Sequence, residues 1–200
     1  MNGTKKKEPH VALLPDQNNA LTLPRVLLNA LLFQLGWFAC IVAVAHHEVL
    51  WGIVAVGLVI LAHLMFARRY REELKLVVAV SMVGVAVDAF FQGIGALTYP
   101  IGLMQTGVAP LWIVALWALL ATGLNVSMRW MKGHFIWTAT FGAIGGPLSY
   151  AAAERWGVVI YLDPLLAWIS LSAGWALAMP IAVLLSEKWN GFKIFERDNV

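Results

Sequence analysis

The sequence predicts an all-α integral membrane protein, a bundle of six transmembrane helices with both termini on the cytoplasmic side. Of its 200 residues 60% are hydrophobic and only 12% are charged, about half of the roughly 25% that is usual in globular proteins. The apolar residues gather in six long runs that short polar segments separate. These features exclude a disordered chain and disfavour a conventional soluble enzyme.

Each of the six runs is long enough to cross a bilayer, whose core of about 30 Å needs roughly 20 helical residues. The runs comprise residues 26–45, 49–67, 74–97, 108–128, 135–153 and 165–186. They are apolar at both odd and even positions, whereas strands of a membrane barrel alternate. We therefore expect a cytoplasmic tail over residues 1–25, a helical domain over residues 26–186 and a second cytoplasmic tail over residues 187–200.

The basic residues determine the expected orientation. With both termini inside, 13 of the 14 lysines and arginines lie in cytoplasmic segments, and Arg155 alone lies outside. Such an asymmetry is typical of multi-pass proteins of the inner membrane. It also explains the net charge of +3 without a nucleic-acid partner, because cytoplasmic cations lie beside anionic lipid head groups.

Asp88 is the acidic residue that lies deep in a predicted span, which makes it the first candidate for function. It belongs to a polar and small-residue face of the third run, at intervals of three and four. The members of this face are Ser81, Gly84, Asp88, Gln92 and Gly95. We expect the face to point into the bundle, with Gln92 one turn away as a hydrogen-bond partner of Asp88. Asp88 is then a proton-relay or ligand-binding carboxylate, or it only holds helices together.

Other candidate ligand-binding side chains occur in the first, fourth and sixth runs. They are Asn29, Gln34, Trp37, Asn125 and Trp175. Asn29 and Gln34 point about 140° apart on a helix and cannot face one neighbour. Interhelical packing is the alternative role for the amides. The ten tryptophans suit a bundle that holds a flat or acyl-chain ligand, although anchoring at the membrane surface explains many of them.

The fifth run contains a group of glycines followed by a proline. Gly142 and Gly146 form a GxxxG pair, which permits close approach of another helix. Pro147 lacks a backbone N–H and should kink the helix. Close helix packing is the expected role of these residues, and a binding niche at a helix break is the alternative.

We expect no metal and no cofactor. The histidines lack the spacing of a zinc site, and a single cysteine excludes sites that need several thiolates. The sequence contains no glycine-rich phosphate loop and no nucleophile motif. These absences disfavour an enzyme.

Five local patterns together resemble a family of small bacterial multi-pass membrane proteins classed as a domain of unknown function. They are Asn29-x-x-x-Phe33-Gln34-x-x-Trp37-Phe38, Asp88 in its apolar helix, Ala109-Pro110-Leu111-Trp112 through Leu116-Trp117, Leu124-Asn125-x-Ser127-x-x-Trp130, and Gly142-x-x-Gly145-Gly146-Pro147-x-x-Tyr150. The resemblance spans residues 25–186. It implies no catalytic residue, but it implies a link to lipid, because genes of this family often neighbour those of fatty-acid-modifying enzymes.

We expect a non-enzymatic accessory or binding protein for a lipid or another hydrophobic ligand, with membrane lipids as its partners. One alternative is a small proton-coupled transporter that uses Asp88. Another is a membrane-embedded lipid-modifying enzyme, which would need Asp88, His63 and Asn125 around one cavity. The last is a structural subunit of a membrane complex or a homo-oligomer, which exposed faces around Gly142 and Gly146 would favour.

Overall fold

The computed structural model describes residues 21–102 and 108–192. Most of the first predicted tail and residues 193–200 of the second lie outside the described residues. The described elements are α1 (Leu23–Ala45), α2 (Val49–Phe66), α3 (Tyr70–Gly93), β1 (Leu97–Thr98), α4 (Leu111–Leu124), a short 3-10 helix (Arg129–Met131), α5 (Phe135–Arg155), β2 (Ile160–Tyr161) and α6 (Pro164–Lys188). Each α-helix overlaps one predicted run, although α4 begins three residues later and ends four residues earlier than predicted. The predominantly helical class is confirmed.

Four of these helices, α1, α2, α3 and α6, are long and apolar enough to cross a membrane. α4 has only 14 residues, which is about 21 Å at 1.5 Å per residue and less than a bilayer core. α5 has 21 residues, but its threonine, serine and glycine residues make its apolar stretch less hydrophobic than those of the other long helices. The four helices fit a membrane protein.

The predicted bounds of the third helix are wrong at both ends. α3 begins four residues earlier than predicted, at Tyr70, with Glu72 and Glu73 in its first turn, where carboxylates favour the positive end of the helix dipole. It ends at Gly93 because Gly95 has a φ of +73° and the Ala96 N–H donates to the Phe91 carbonyl. This left-handed closure terminates the helix, and the chain continues into β1.

α4 lies at the centre of the bundle, where it packs against α1, α2, α3 and α6. α5 lies at the periphery and packs mainly against α6. α1, α3 and α5 begin at the same end of the bundle. We call it the basic end, because every described lysine and arginine except Arg155 lies there. At the opposite end, the strand end, β1 pairs antiparallel with β2.

The backbones of α5 and α6 approach closely at Gly142. A Cβ atom on Gly142 would lie 2.3 Å from the carbonyl oxygen of Trp175, and no backbone atom can yield to it cheaply. α5 is continuous through Pro147, which is buried. Both members of the GxxxG pair, Gly142 and Gly146, are buried and therefore offer no exposed face to a partner.

Gly142→Ala should destabilise the fold by about 1–3 kcal/mol, the usual cost of overpacking, because α5 and α6 must separate. Thermal unfolding in detergent measures the effect. Gly145→Ala is the matched control, since its Cβ would lie 3.7 Å from the Phe141 ring, an ordinary contact, and alanine favours a helix. Equal losses of stability in the two variants would contradict this packing.

Candidate functional site

Asp88 is fully buried on α3 and accepts hydrogen bonds from three side chains. The Tyr150 hydroxyl donates to Oδ1 at 2.5 Å, and the Trp117 indole Nε1 donates to Oδ2 at 2.6 Å. The Tyr99 hydroxyl also donates to Oδ1. A buried carboxylate is costly unless donors compensate it, and these three come from separate parts of the chain.

Tyr99 reaches Asp88 from the strand end, just after β1. It is fully buried, and its ring meets the Trp112 ring edge to face at 5.6 Å. Trp112 is held in turn by a hydrogen bond from its Nε1 to the Ile101 carbonyl at 2.9 Å. Burial, followed by the nearby Asp88, raises the pKa of the Tyr99 hydroxyl well above its usual value, so the hydroxyl keeps the proton that it donates.

Two stacked indole rings cross the middle of the bundle. Trp117 of α4 and Trp175 of α6 lie 4.5 Å apart with an interplanar angle of 9°. A Cβ on Gly84 would lie 2.1 Å from the Trp117 ring, and a Cβ on Gly146 would lie 2.1 Å from the Trp175 ring. The two glycines are therefore required for the rings to pack against the α3 and α5 backbones.

A cavity of about 410 Å³ opens beside these rings, within the range of roughly 300–1,000 Å³ that is usual for small-molecule sites. α1 and α5 form its sides and α4 forms its floor. Most of its lining is aliphatic or aromatic, and Gln34 and Ser149 are among its few polar side chains. Trp117 and Tyr150 also line it, so two of the three Asp88 donors form part of its wall.

The structure brings together some of the predicted site residues. Gln34, Trp37 and Trp175 line the cavity, whereas Asp88 lies behind its wall. Gln92 is not the partner of Asp88, because its buried Nε2 has no hydrogen bond within the described residues.

The two predicted asparagines lie away from the cavity, toward the basic end. The Asn29 amide nitrogen donates to the Thr122 carbonyl at 3.1 Å, and its oxygen accepts from the Ser127 N–H at 3.2 Å. These bonds join α1 to the end of α4, which is a packing role. Asn125 belongs to a second polar cluster, and since Asp88 lies elsewhere, the set that a lipid-modifying enzyme would need is not assembled.

This second cluster centres on Glu73, a fully buried residue that the sequence interpretation missed. Its carboxylate contacts His63 Nε2 at 2.8 Å and accepts from Asn125 Nδ2 at 2.7 Å and from the Gly191 N–H at 2.6 Å. Lys132 donates to the Asn125 oxygen. Glu73 lies in a charged segment of the kind that is usually solvated. It nevertheless precedes the buried Leu76 and Val77 by three and four residues, the spacing of one helix face. This spacing could have identified Glu73 as buried.

Within the described residues, no group of three or more histidine, cysteine, aspartate or glutamate side chains lies together as a metal site would require. The chemistry available around Asp88 is hydrogen bonding and proton exchange at one carboxylate. The chemistry available in the cavity is burial of apolar surface.

Residues 26–181 match the model of a family described as a protein of unknown function (DUF2878). The chain belongs to this family. The resemblance to a family of unknown function is thereby confirmed. The match covers α2 to α5 entirely, α1 from Val26 onward and α6 as far as Ile181. No curated protein and no solved structure matches the chain.

Tyr150→Phe should destabilise the protein by about 1–3 kcal/mol, because it removes one donor from a buried carboxylate. Tyr161→Phe is the matched control: its buried hydroxyl has no partner within the described residues, so its loss should leave stability unchanged or slightly raised. Thermal unfolding of both variants in one detergent provides the comparison. A Tyr150→Phe variant as stable as the wild type would contradict the role assigned to this hydroxyl.

Proposed function

We propose that this protein crosses a bacterial inner membrane six times with both termini in the cytoplasm. The alternating directions of the six helices and the gathering of basic residues at one end support this topology. α4 alone is short, but it reaches from Trp112, which contacts Tyr99 at the strand end, to Asn125, which donates to Glu73 at the basic end.

We propose further that the cavity between α1 and α5 binds the acyl chain of a lipid or a similar hydrophobic ligand, without chemical change. The stacked pair of Trp117 and Trp175 in its wall is the observation that carries the proposal. A rigid aromatic wall offers a large apolar contact area at little cost in conformational entropy. The position between two helices lets a chain enter sideways from the bilayer.

Gly145→Leu tests this function by filling the cavity. Gly145 lines the cavity, so the added side chain should displace at least two methylene groups of a bound chain. At roughly 0.8 kcal/mol for each buried methylene, affinity for palmitate should fall about tenfold or more. Retention of radiolabelled palmitate by the purified protein in detergent measures the change.

Gly57→Leu is the matched control, because Gly57 lies on α2 with nothing within 4 Å of a Cβ at that position. It adds the same apolar surface away from the cavity and should bind palmitate as the wild type does. Equal binding by both variants and the wild type would count against the cavity as the ligand site.

A second candidate function, proton-coupled transport, rests on one further observation. The same Tyr150 and Trp117 side chains that line the cavity also donate to Asp88. A ligand that shifts either ring would change the number of donors at the carboxylate and thereby its affinity for a proton.

Asp88→Asn tests the transport candidate, because the amide cannot exchange a proton. Proteoliposomes with a pH-sensitive dye inside and a potassium-clamped potential would report the proton flux. We expect flux with the wild type, none with Asp88→Asn, and full flux with Asp163→Asn. Asp163 caps α6 by accepting from the Leu166 N–H, and asparagine caps a helix equally well. Equal flux with Asp88→Asn and the wild type would exclude Asp88 from a proton path.

A further inference from the structure

A second, smaller pocket lies at the basic end between α1 and α2, on the opposite side of α1 from the large cavity. Its volume is about 80 Å³. Arg25, Asn29 and His63 are its polar lining residues, and the remainder of its lining is apolar. The pocket has room for part of a head group and the first methylene groups of an acyl chain, not for a whole phospholipid. A cation beside an apolar surface at the end of a bundle nevertheless suits a phospholipid, whose phosphate lies at the edge of the bilayer and whose chains would continue along the outer faces of α1 and α2.

Arg25 can supply the positive charge of such a site. Its side chain is exposed at the start of α1 and makes no ion pair within the described residues. A guanidinium binds phosphate through paired, charge-assisted hydrogen bonds. Leu28 and Leu32 follow it along α1 and line the same pocket, so an acyl chain attached to the phosphate has an apolar path into the bilayer.

His63 gives the site a second, more selective polar group. It is buried, and its Nε2 lies 2.8 Å from the Glu73 carboxylate, which favours a proton on that nitrogen. Nδ1 has no partner within the described residues, and in the neutral ring with its proton on Nε2 it accepts a hydrogen bond. A hydroxyl on the head group is the donor that fits beside an anionic phosphate.

Gly191 and Phe192 close the pocket at the basic end of the bundle. Phe192 lines the pocket and its ring lies 5.2 Å from that of His63. The Gly191 N–H donates to the same Glu73 carboxylate at 2.6 Å, and the Arg69 N–H donates to the Gly191 carbonyl at 3.2 Å. Glu73 therefore fixes both the orientation of His63 and the position of the ring above it.

We propose that this pocket binds a phospholipid with an anionic phosphate and a hydroxyl-bearing head group, of which phosphatidylglycerol is the simplest example. Arg25 binds the phosphate, His63 Nδ1 accepts from the head-group hydroxyl, and the apolar lining between α1 and α2 contacts the first part of an acyl chain. The site is separate from the large cavity and does not depend on the function proposed for that cavity.

Native mass spectrometry of the full chain, released from nanodiscs with equal amounts of phosphatidylglycerol, phosphatidylmethanol and phosphatidylcholine, tests the proposal. The wild type should retain phosphatidylglycerol in preference to phosphatidylmethanol, which carries the same single negative charge but has no hydrogen-bond donor on its head group. Arg25→Gln should reduce that retention about tenfold, the scale of one charge-assisted hydrogen bond. Arg71→Gln is the matched control, an exposed arginine at the same end that does not line the pocket.

Leu32→Trp distinguishes binding in the pocket from nonspecific electrostatic attraction, because it fills the pocket and leaves every charge in place. Reduced retention of phosphatidylglycerol in this variant supports the proposal. Equal retention of the two anionic lipids, equal loss in the Arg25 and Arg71 variants, or full retention in Leu32→Trp would each overturn it. Complete displacement of the lipid by inorganic phosphate would also overturn it, since the acyl chain would then contribute nothing.

Discussion

The structure depends on how the chain compensates one buried carboxylate. No basic side chain within the described residues pairs with Asp88, so its three hydrogen bonds compensate the cost of placing it in an apolar interior. The donors belong to the segment after β1, to α4 and to α5. Their convergence fixes the strand-end half of the bundle, because each donor must approach α3 at the same depth.

Aromatic rings and glycines explain how the other helices reach this centre. Gly84 and Gly146 give the indole rings of Trp117 and Trp175 direct contact with the backbones of α3 and α5. Four helices are thereby joined through two stacked rings. α5 is held to the bundle mainly by α6, and the space left between α5 and α1 is the large cavity. The same packing that satisfies Asp88 therefore leaves an aromatic-walled opening beside it.

α3 carries a second buried carboxylate at its other end. Glu73 and Asp88 are 15 residues apart, or about 22 Å along the helix. Glu73 binds the Gly191 N–H and the His63 ring, whereas Asp88 binds two residues in the wall of the large cavity. At each end of the bundle, a buried carboxylate of α3 therefore accepts hydrogen bonds from segments that are distant in the chain.

Much of the architecture was predictable from the sequence because long apolar runs specify helices almost independently of their neighbours. Asp88 was predictable for a similar local reason, since a lone acid in an apolar run stands out. Its partners were not: helical spacing indicated Gln92, but tyrosine and tryptophan side chains distant in the chain reach it through tertiary packing. Glu73 was overlooked because its charged neighbours suggest a solvated loop, and the end of α3 depends on a left-handed Gly95 that hydropathy does not detect.

We propose that the cavity between α1 and α5 receives an acyl chain, and photo-crosslinking can locate such a chain in the protein. A phospholipid with a diazirine near the end of its acyl chain would be irradiated with the full protein in nanodiscs, and the labelled residues identified by mass spectrometry. We predict labels that concentrate on Phe33–Ile41 of α1 and Phe141–Ala153 of α5, and that fall in Gly145→Leu. Labels spread evenly over the exposed faces of all helices, and unchanged by that substitution, would show that no acyl chain enters the cavity.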